Sequence, residues 1–435
     1  MMKQAFYRLS SVLFLTLIFL MFIVTIVCAE NRTPIDKHQT KLIGVAAKIT
    51  IGNDIIIDST GNYYITGETT GNLDGQIKTG KWDAFIAKYD KNGNKQWTKL
   101  LGIQGNRQYT ESYSVALDSA DNCYIVGQTT GNLDGQTKTG DLDAFIVKYD
   151  TNGNKQWTKL IGAIENVTKG LDIAIDTAGN CYITGSTSGN LDGQIITGDY
   201  DAFIAKYDVN GNKQWTRLLG ATLSNAAGTG IVLDSINNCY IVGDTGGNLD
   251  GQIKTGDLDA FIVKYDTNGN KQWIKLLGVA ENYTSGSGIA IDSSANCYIT
   301  GGIRSNLDGW AYIVKYDTDG NKQGMAKFGV AEKVSLSNAI AIDSVGNCCI
   351  TGYTNGSLDG QIKIGEWDAF VVEYDKNLIK QGIEKLFRAD GKETLAKSIA
   401  LDSVDNCYIT GSTNGNLDGQ MLIGKHDAFV ISIRN

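Results

Sequence analysis

Residues 118–162 read DSADNCYIVGQTTGNLDGQTKTGDLDAFIVKYDTNGNKQWTKLIG. The same unit, lightly edited, begins at Asp58, Asp118, Asp176, Asp234, Asp292, Asp343 and Asp402, a period of about 51–60 residues. A fixed period of this size marks a repeat architecture, whose units bury their faces against their neighbours. Within the quoted unit, four short runs carry the apolar residues. They are 115–118, 123–127 (CYIVG), 144–149 (AFIVKY) and 155–161 (KQWTKLI). Ile, Val, Tyr, Phe and Trp dominate them, as in strands.

Turn residues separate the runs. DSADN at 118–122, DTAGN at 176–180 and DTNGN at 150–154 are hairpin turns, because Gly and Asn accept positive φ at little cost. A longer Gly-rich connection, 128–143, joins runs two and three. Four antiparallel strands per unit follow. Run three is apolar on consecutive positions, Ala144 to Val147, so both its faces need cover. Run four alternates, with Gln156, Thr158 and Lys159 among Trp157, Leu160 and Ile161, so it lies nearer solvent. Radial stacking with run one innermost and run four outermost satisfies this gradient. The predicted fold is an all-β, seven-bladed β-propeller of four-stranded antiparallel blades.

The unit D-x-x-G-N-x-Y-I-T-G … D-A-F-I-x-K-Y-D-x-N-G-N … W-x-K-L-x-G resembles the bacterial β-propeller repeat called the SBBP repeat. The resemblance runs from about His38 to Asn435. It implies an exported or surface bacterial propeller. That family is defined by fold rather than by a shared reaction, so no catalytic residues carry over.

The chain organises into residues 1–29, 30–37 and 38–435. Residues 1–29 read as a cleaved signal peptide: Lys3 and Arg8 precede the apolar stretch 12–27, and Val27-Cys28-Ala29 precedes Glu30. An uncleaved anchor, or a lipid anchor at Cys28, is the alternative. Residues 30–37 are a short polar linker holding Pro34, the only proline. Thr40-Lys41-Leu42-Ile43-Gly44 then matches run four with no runs one to three before it. The last unit stops at 427–433 (DAFVISI), a run three lacking a run four. The N-terminal strand therefore completes the last blade and closes the ring.

Net charge is −8, and −10 once Lys3 and Arg8 leave with the leader. No basic cluster faces phosphates, which argues against nucleic acid. No membrane span is expected beyond the leader, and a monomer is expected. Cys123, Cys181, Cys239, Cys297, Cys348 and Cys407 open run two in successive units, and Cys349 follows one of them. Equivalent positions in stacked sheets are about 10 Å apart, whereas a disulfide needs Cα atoms within about 7 Å. These cysteines are expected as free, buried thiols.

Three carboxylate sets recur. The Asp58 set, one per unit start, precedes tight turns and is expected to accept their N–H groups. The second lies in (N/S)LDG segments: Asp74, Asp134, Asp192, Asp250, Asp308, Asp359 and Asp418. The third precedes run three: Asp83, Asp143, Asp201, Asp259, Asp368 and Asp427. The last two sets bracket Gly-rich loops with backbone carbonyls, so Ca²⁺ is a candidate ligand, behind turn and cap duties. Asp150, Asn152 and Asn154 have EF-hand spacing, but Lys155 and Ile161 stand where that loop needs Gly and Glu. His38 and His426 are the only histidines, and neither G-x-S-x-G nor a Walker loop occurs. No catalytic or organic-cofactor residues are assigned.

The segments between units vary most: 103–114, 163–172, 221–230, 279–288, 330–338 and 389–398. They are read as rim loops, where recognition sits on a repeated scaffold. The expected function is a non-enzymatic scaffold, secreted or held at a bacterial cell envelope, binding an extracellular protein or glycan. A carboxylate-based polysaccharide hydrolase or lyase is the alternative, and a structural surface protein the third. A close carboxylate pair with clustered aromatics favours the enzyme. Tyr109, Tyr113 and Tyr283, scattered through the variable segments, favour binding.

Overall fold

In the computed structural model, residues 38–433 are described. The leader, the linker at 30–37 and Cys28 lie outside them. The described residues form seven four-stranded antiparallel sheets. Taking the second blade, its strands are Thr110–Leu117, Cys123–Thr129, Asp143–Tyr149 and Lys155–Ile161. The second and third are buried along their whole length, while the fourth exposes Lys155 and Gln156. The gradient read from the apolar runs is thus the radial one.

The ring closes as the terminal half-units require. His38–Ile43 pairs antiparallel with Asp427–Ile433, from His38 opposite Ile433 to Ile43 opposite Ala428. The last sheet therefore holds one strand from the N-terminus and three from the C-terminus.

Between blades, each core is a layer of aromatic and Ile side chains from both sheets, with Cys joining them at every joint except the one between blades 7 and 1. Cys123, Cys181, Cys239, Cys297, Cys348 and Cys407 are buried, and neither they nor Cys349 form a disulfide among the described residues. Burial pushes the Cys181 and Cys348 thiols up to about 12. These are inert sulfurs filling core volume. Protein purified in air is expected to resist alkylation at the buried positions while native and to titrate as free thiol once unfolded. Stoichiometric disulfides in that titration would contradict the radial placement of the second strand.

The outer edge has its own repeated joint. In blades 1–4 the fourth-strand Trp packs edge-on to the second-strand Tyr, as Trp97 does on Tyr64 at 5.9 Å. Its indole N–H donates to a carbonyl in the next blade's outer turn, Trp97 to Thr151 at 3.1 Å. The ring covers that turn's glycine, Gly153, which sits at φ 76°. Gly324 replaces Trp in the fifth blade, and Leu378, at φ 63°, replaces the facing turn glycine. The two changes compensate: a Cβ on Gly324 would lie 3.2 Å from Leu378 Cδ1. The joint between the sixth and seventh blades has no outer turn to receive such a ring, because the seventh blade takes its outer strand from the N-terminus.

Candidate functional site: the axial channel

Each first strand carries a β-bulge at the same level. In blade 2 the pairing skips from Ser112 to Ser114 and leaves Tyr113 as the extra residue. The equivalents are Asn53, Leu171, Thr229, Ser287, Asn338 and Lys397. A bulge re-aims its side chain and twists the strand. These residues, with their C-terminal neighbours, line a 240 Å3 cavity on the propeller axis.

One expectation is corrected here. The variable segments are rim loops only in their first halves. Thr110, Thr168, Ala226, Tyr283, Ser335 and Thr394 already begin the innermost strands. Likewise the first run of the second blade extends from Thr110 to Leu117, well before Val115. The strand escaped notice because it faces channel water on one side and its bulge breaks the period of two. Variation between units therefore reaches down the channel wall.

Two carboxylates meet on that wall. Ser114 Oγ lies 2.9 Å from Asp54 Oδ2 and 2.6 Å from Asp172 Oδ1. Asp54 also accepts from the Val115 N–H at 2.8 Å and the Ser398 hydroxyl at 2.5 Å. Asp172 accepts from the Ile231 N–H at 2.7 Å. The pair so ties together five of the seven blades. A serine hydroxyl has one proton and can donate to only one carboxylate. The other satisfies the serine oxygen by keeping its own proton. Burial, aided by the charge of Asp54, pushes Asp172 up to about 7. Burial raises Asp54 as well. Raised together and bridged by one hydroxyl, the two carboxyls are suited to holding one proton between them, as close like charges in a confined site do.

A second cluster lies one to two residues nearer the long-loop rim. Asn53 Nδ2 donates to Glu68 Oε2 at 2.5 Å, and Lys397 Nζ to Asn53 Oδ1 at 2.6 Å. Tyr113 and Gln128 both donate to Glu111 Oε2, at 2.7 and 2.6 Å. Burial pushes Glu68 up to about 7 while Lys397 pulls the other way. Desolvation lowers Lys397 in turn. In blade 4, burial lifts Asp244 to about 7, and the Gly286 N–H bonds it at 2.7 Å. The wall can thus offer carboxyl donors, carboxylate acceptors, a lysine and a tyrosine to a polar ligand.

The sequence-predicted carboxylates lie elsewhere. The Asp58 set caps the first turns, on the rim opposite the long loops: Asp58 Oδ1 accepts from the N–H groups of Thr60 at 3.0 Å and Asn62 at 2.9 Å. The Asp74 set clamps the outer strands from left-handed positions, with φ 48–54° at Asp74, Asp134, Asp192, Asp250, Asp359 and Asp418. Asp74 takes Thr98 Oγ1 at 2.5 Å and Lys95 at 2.6 Å. Asp418 takes Thr40 at 2.6 Å and His38 at 3.2 Å, so it holds the closing strand. Asp308, on the shortened fifth hairpin, instead accepts from the Glu332 N–H. The third set is buried and ties its own loop: Asp83 accepts from the N–H groups of Thr79 and Gly80, both at 2.7 Å. Asp143, Asp201, Asp259, Asp368 and Asp427 repeat this. A Cβ on Gly102 would collide with the Asp83 carboxylate, which explains the glycine after the outer strand.

The two members of each candidate calcium pair thus bond different segments, and no group of three or more metal-capable side chains occurs among the described residues. Turn and clamp duties account for both sets. Adding millimolar Ca²⁺ or EDTA is expected to leave Tm unchanged. A calcium-dependent rise that Asp134→Asn with Asp143→Asn removes would show a site in that blade.

The channel groups were readable in principle. At the level of Asp54 and Asp172 the other units carry Ser114, Gly230, Gly288, Ala339 and Ser398. Charge at an otherwise small position was the signal, but only the bulge register aligns these residues.

Sequence comparison fits this unit. The beta-propeller repeat family SBBP matches residues 40–74, 96–134, 156–192, 214–250, 272–308 and 385–418, just over half of the chain. The chain belongs to the SBBP family. Each SBBP match begins within or just before an outer strand and ends at an LDG aspartate. The unmatched stretch 309–384 holds the Gly324 and Leu378 exchange. The regulatory protein FlaEY of Caulobacter vibrioides is 23% identical over 440 residues, 85% of this chain and 44% of that protein. The chain spans less than half the length of the curated relatives it matches. Among solved structures, virginiamycin B lyase from Staphylococcus aureus superposes with TM-score 0.51 at 9% identity, over 92% of this chain and 100% of that one. An ulvan lyase bound to a -[GlcA(1-4)Rha3S]- unit gives TM-score 0.51 at 12% identity, over 89% and 95%. At these identities the likeness is one of fold.

Proposed function

We propose that this chain is an exported bacterial scaffold whose long-loop rim and channel mouth bind an extracellular glycan. One observation carries the reading. Seven blades that share their cores and turns differ most in the inter-blade loops and at the bulge level, where Asn53, Tyr113, Leu171, Thr229, Ser287, Asn338 and Lys397 stand. Invariant scaffold with a diversified concave wall is the pattern of a recognition surface. Carboxyls, amides, a tyrosine and a lysine around one opening suit a ligand rich in hydroxyls. Export rests on the leader at residues 1–29.

The test is capture on glycan and envelope-protein arrays with the secreted chain, beside Tyr113→Phe and Lys397→Met. Glycan capture weakened about tenfold or more by either change supports the reading. Capture of proteins alone, or of nothing, overturns it, the latter favouring a structural surface protein.

A second reading rests on the Asp54–Ser114–Asp172 contact. A carboxylate pair sharing one proton can serve as acid and base on a glycan. Release of reducing ends or unsaturated uronates, abolished by Asp172→Asn, would establish it. Intact glycan after prolonged incubation would exclude it for that substrate.

A further inference from the structure

We propose that the seam between blades 7 and 1 is a receptor slot for a tryptophan side chain of a partner polypeptide. The inference is independent of the channel reading and comes from comparing the blade-to-blade joints.

Four joints show what such a slot holds. Trp97, Trp157, Trp215 and Trp273 each stand edge-on to the second-strand Tyr of their own blade, at 5.8–6.0 Å. Each indole N–H donates to the second residue of the next outer turn: Thr151, Val209, Thr267 and Thr318, at 3.1–3.3 Å. Each ring lies against the left-handed glycine of that turn, Gly153, Gly211, Gly269 or Gly320. A Tyr wall, a glycine floor and a carbonyl acceptor therefore define an indole site four times in this chain.

The seam keeps all three parts and lacks the indole. Gln39 stands opposite Ser432, where Trp97 stands opposite Lys88 in blade 1. The wall is Tyr408, the second-strand Tyr of blade 7. The floor is Gly93, at φ 82°, with only the Tyr63 hydroxyl, at 3.6 Å, near its Cβ direction. The acceptor is the Lys91 carbonyl, which takes no hydrogen bond among the described residues. Tyr63, where later blades have Cys, adds a second aromatic wall 5.9 Å from Tyr408. These groups border an open cleft of 550 Å3, and Lys41 and Lys91 line it as cations beside any bound ring.

The other Trp-less joints differ in a telling way. Between blades 5 and 6 Leu378 replaces the floor glycine and reaches toward Gly324, so the cleft of 390 Å3 left there has no glycine floor. Between blades 6 and 7 no outer turn exists to form a floor. The seam alone among the described joints retains an indole's complete surroundings. All seven tryptophans of the sequence lie between Trp82 and Trp367, and none of them lines this cleft. A tryptophan carried by a partner peptide matches ring, donor and entry from the open circumference.

The probe is N-acetyltryptophanamide, titrated against the secreted chain by calorimetry beside N-acetylleucinamide. The tryptophan amide is expected to saturate and to bind about tenfold more tightly than the leucine amide. Gln39→Trp should place the chain's own indole in the slot, abolish that binding and raise Tm. Gly93→Asn, which tolerates the left-handed turn, blocks the floor without filling the joint and should weaken binding about tenfold. No saturable binding to wild type, equal binding of both amides, or binding unchanged in Gln39→Trp and Gly93→Asn would each overturn the proposal.

Discussion

Removing residues 38–44 is expected to open the ring and lower Tm by many degrees. Leu42 and Ile43 are buried, at 8% and 4% exposure, and lose roughly 1.5–3 kcal/mol each when their strand is gone. Further losses follow: the backbone ladder to Asp427–Ile433, the Thr40 and His38 bonds to Asp418, and the cation of Lys41 over Tyr89 at 5.1 Å. The bare edge of Asp427–Ile433 would also offer unpaired N–H and C=O groups to other chains. Lower Tm with concentration-dependent association is the expected result by calorimetry and light scattering. An unchanged Tm would mean that the last blade does not need the N-terminal strand. Adding a synthetic peptide of residues 38–44 should restore part of the loss.

The second large effect is a stability that falls as pH rises from about 4 to 7. Burial lifts Glu68, Asp172 and Asp244 to about 7 and raises Asp54. An unfolded carboxyl titrates near 4. Between those values the folded chain holds protons that the unfolded chain has released. Stability is then fully present below about 4 for these groups, declines toward 7 and levels off above it. A shift of one unit corresponds to about 1.4 kcal/mol, so the channel pair accounts for a change on the order of a few kcal/mol, reduced because it faces channel water. Two groups of residues act outside this window. Hydrogen bonds outweigh burial to lower Asp58 and Asp118, whose contribution is lost only on further acidification below about 4. Lys397, lowered by desolvation, works in the opposite direction: its contribution to stability rises with pH up to about 10.4, where the unfolded lysine loses its proton. Tm is therefore expected to be higher at pH 5 than at pH 8. Asp172→Asn removes the charge and offers an amide N–H to Ser114. It should raise Tm at pH 8 and flatten the slope. A Tm that is constant or rises over this range would contradict proton sharing between Asp54 and Asp172.

The two effects differ in how far they were legible. The closing strand could be read from Thr40-Lys41-Leu42-Ile43-Gly44 and from the truncated 427–433, because a repeat makes any missing part conspicuous. The candidate calcium residues were equally visible as recurring Asp, yet they serve turns and clamps. Recurrence in every blade marks what each blade needs to fold, whereas a single ring-shaped site needs only one copy of each group. Asp54, Glu68, Asp172, Asp244 and Lys397 break the repeat, and a search for recurrence passes over them.

The sequence by itself determined the blade count, strand order, free thiols and ring closure. These follow from local turn chemistry and apolar periodicity, repeated seven times so that errors in one unit are corrected by the others. Only the tertiary structure decided what lies on the axis. Residues about 60 positions apart converge there, and a bulge in each innermost strand selects which side chain enters the channel. Whether Ser114 touches one carboxylate or two, and whether Gly93 faces an indole or open space, depends on blade-to-blade packing. That packing brings distant units together at distances which no periodicity along the chain encodes.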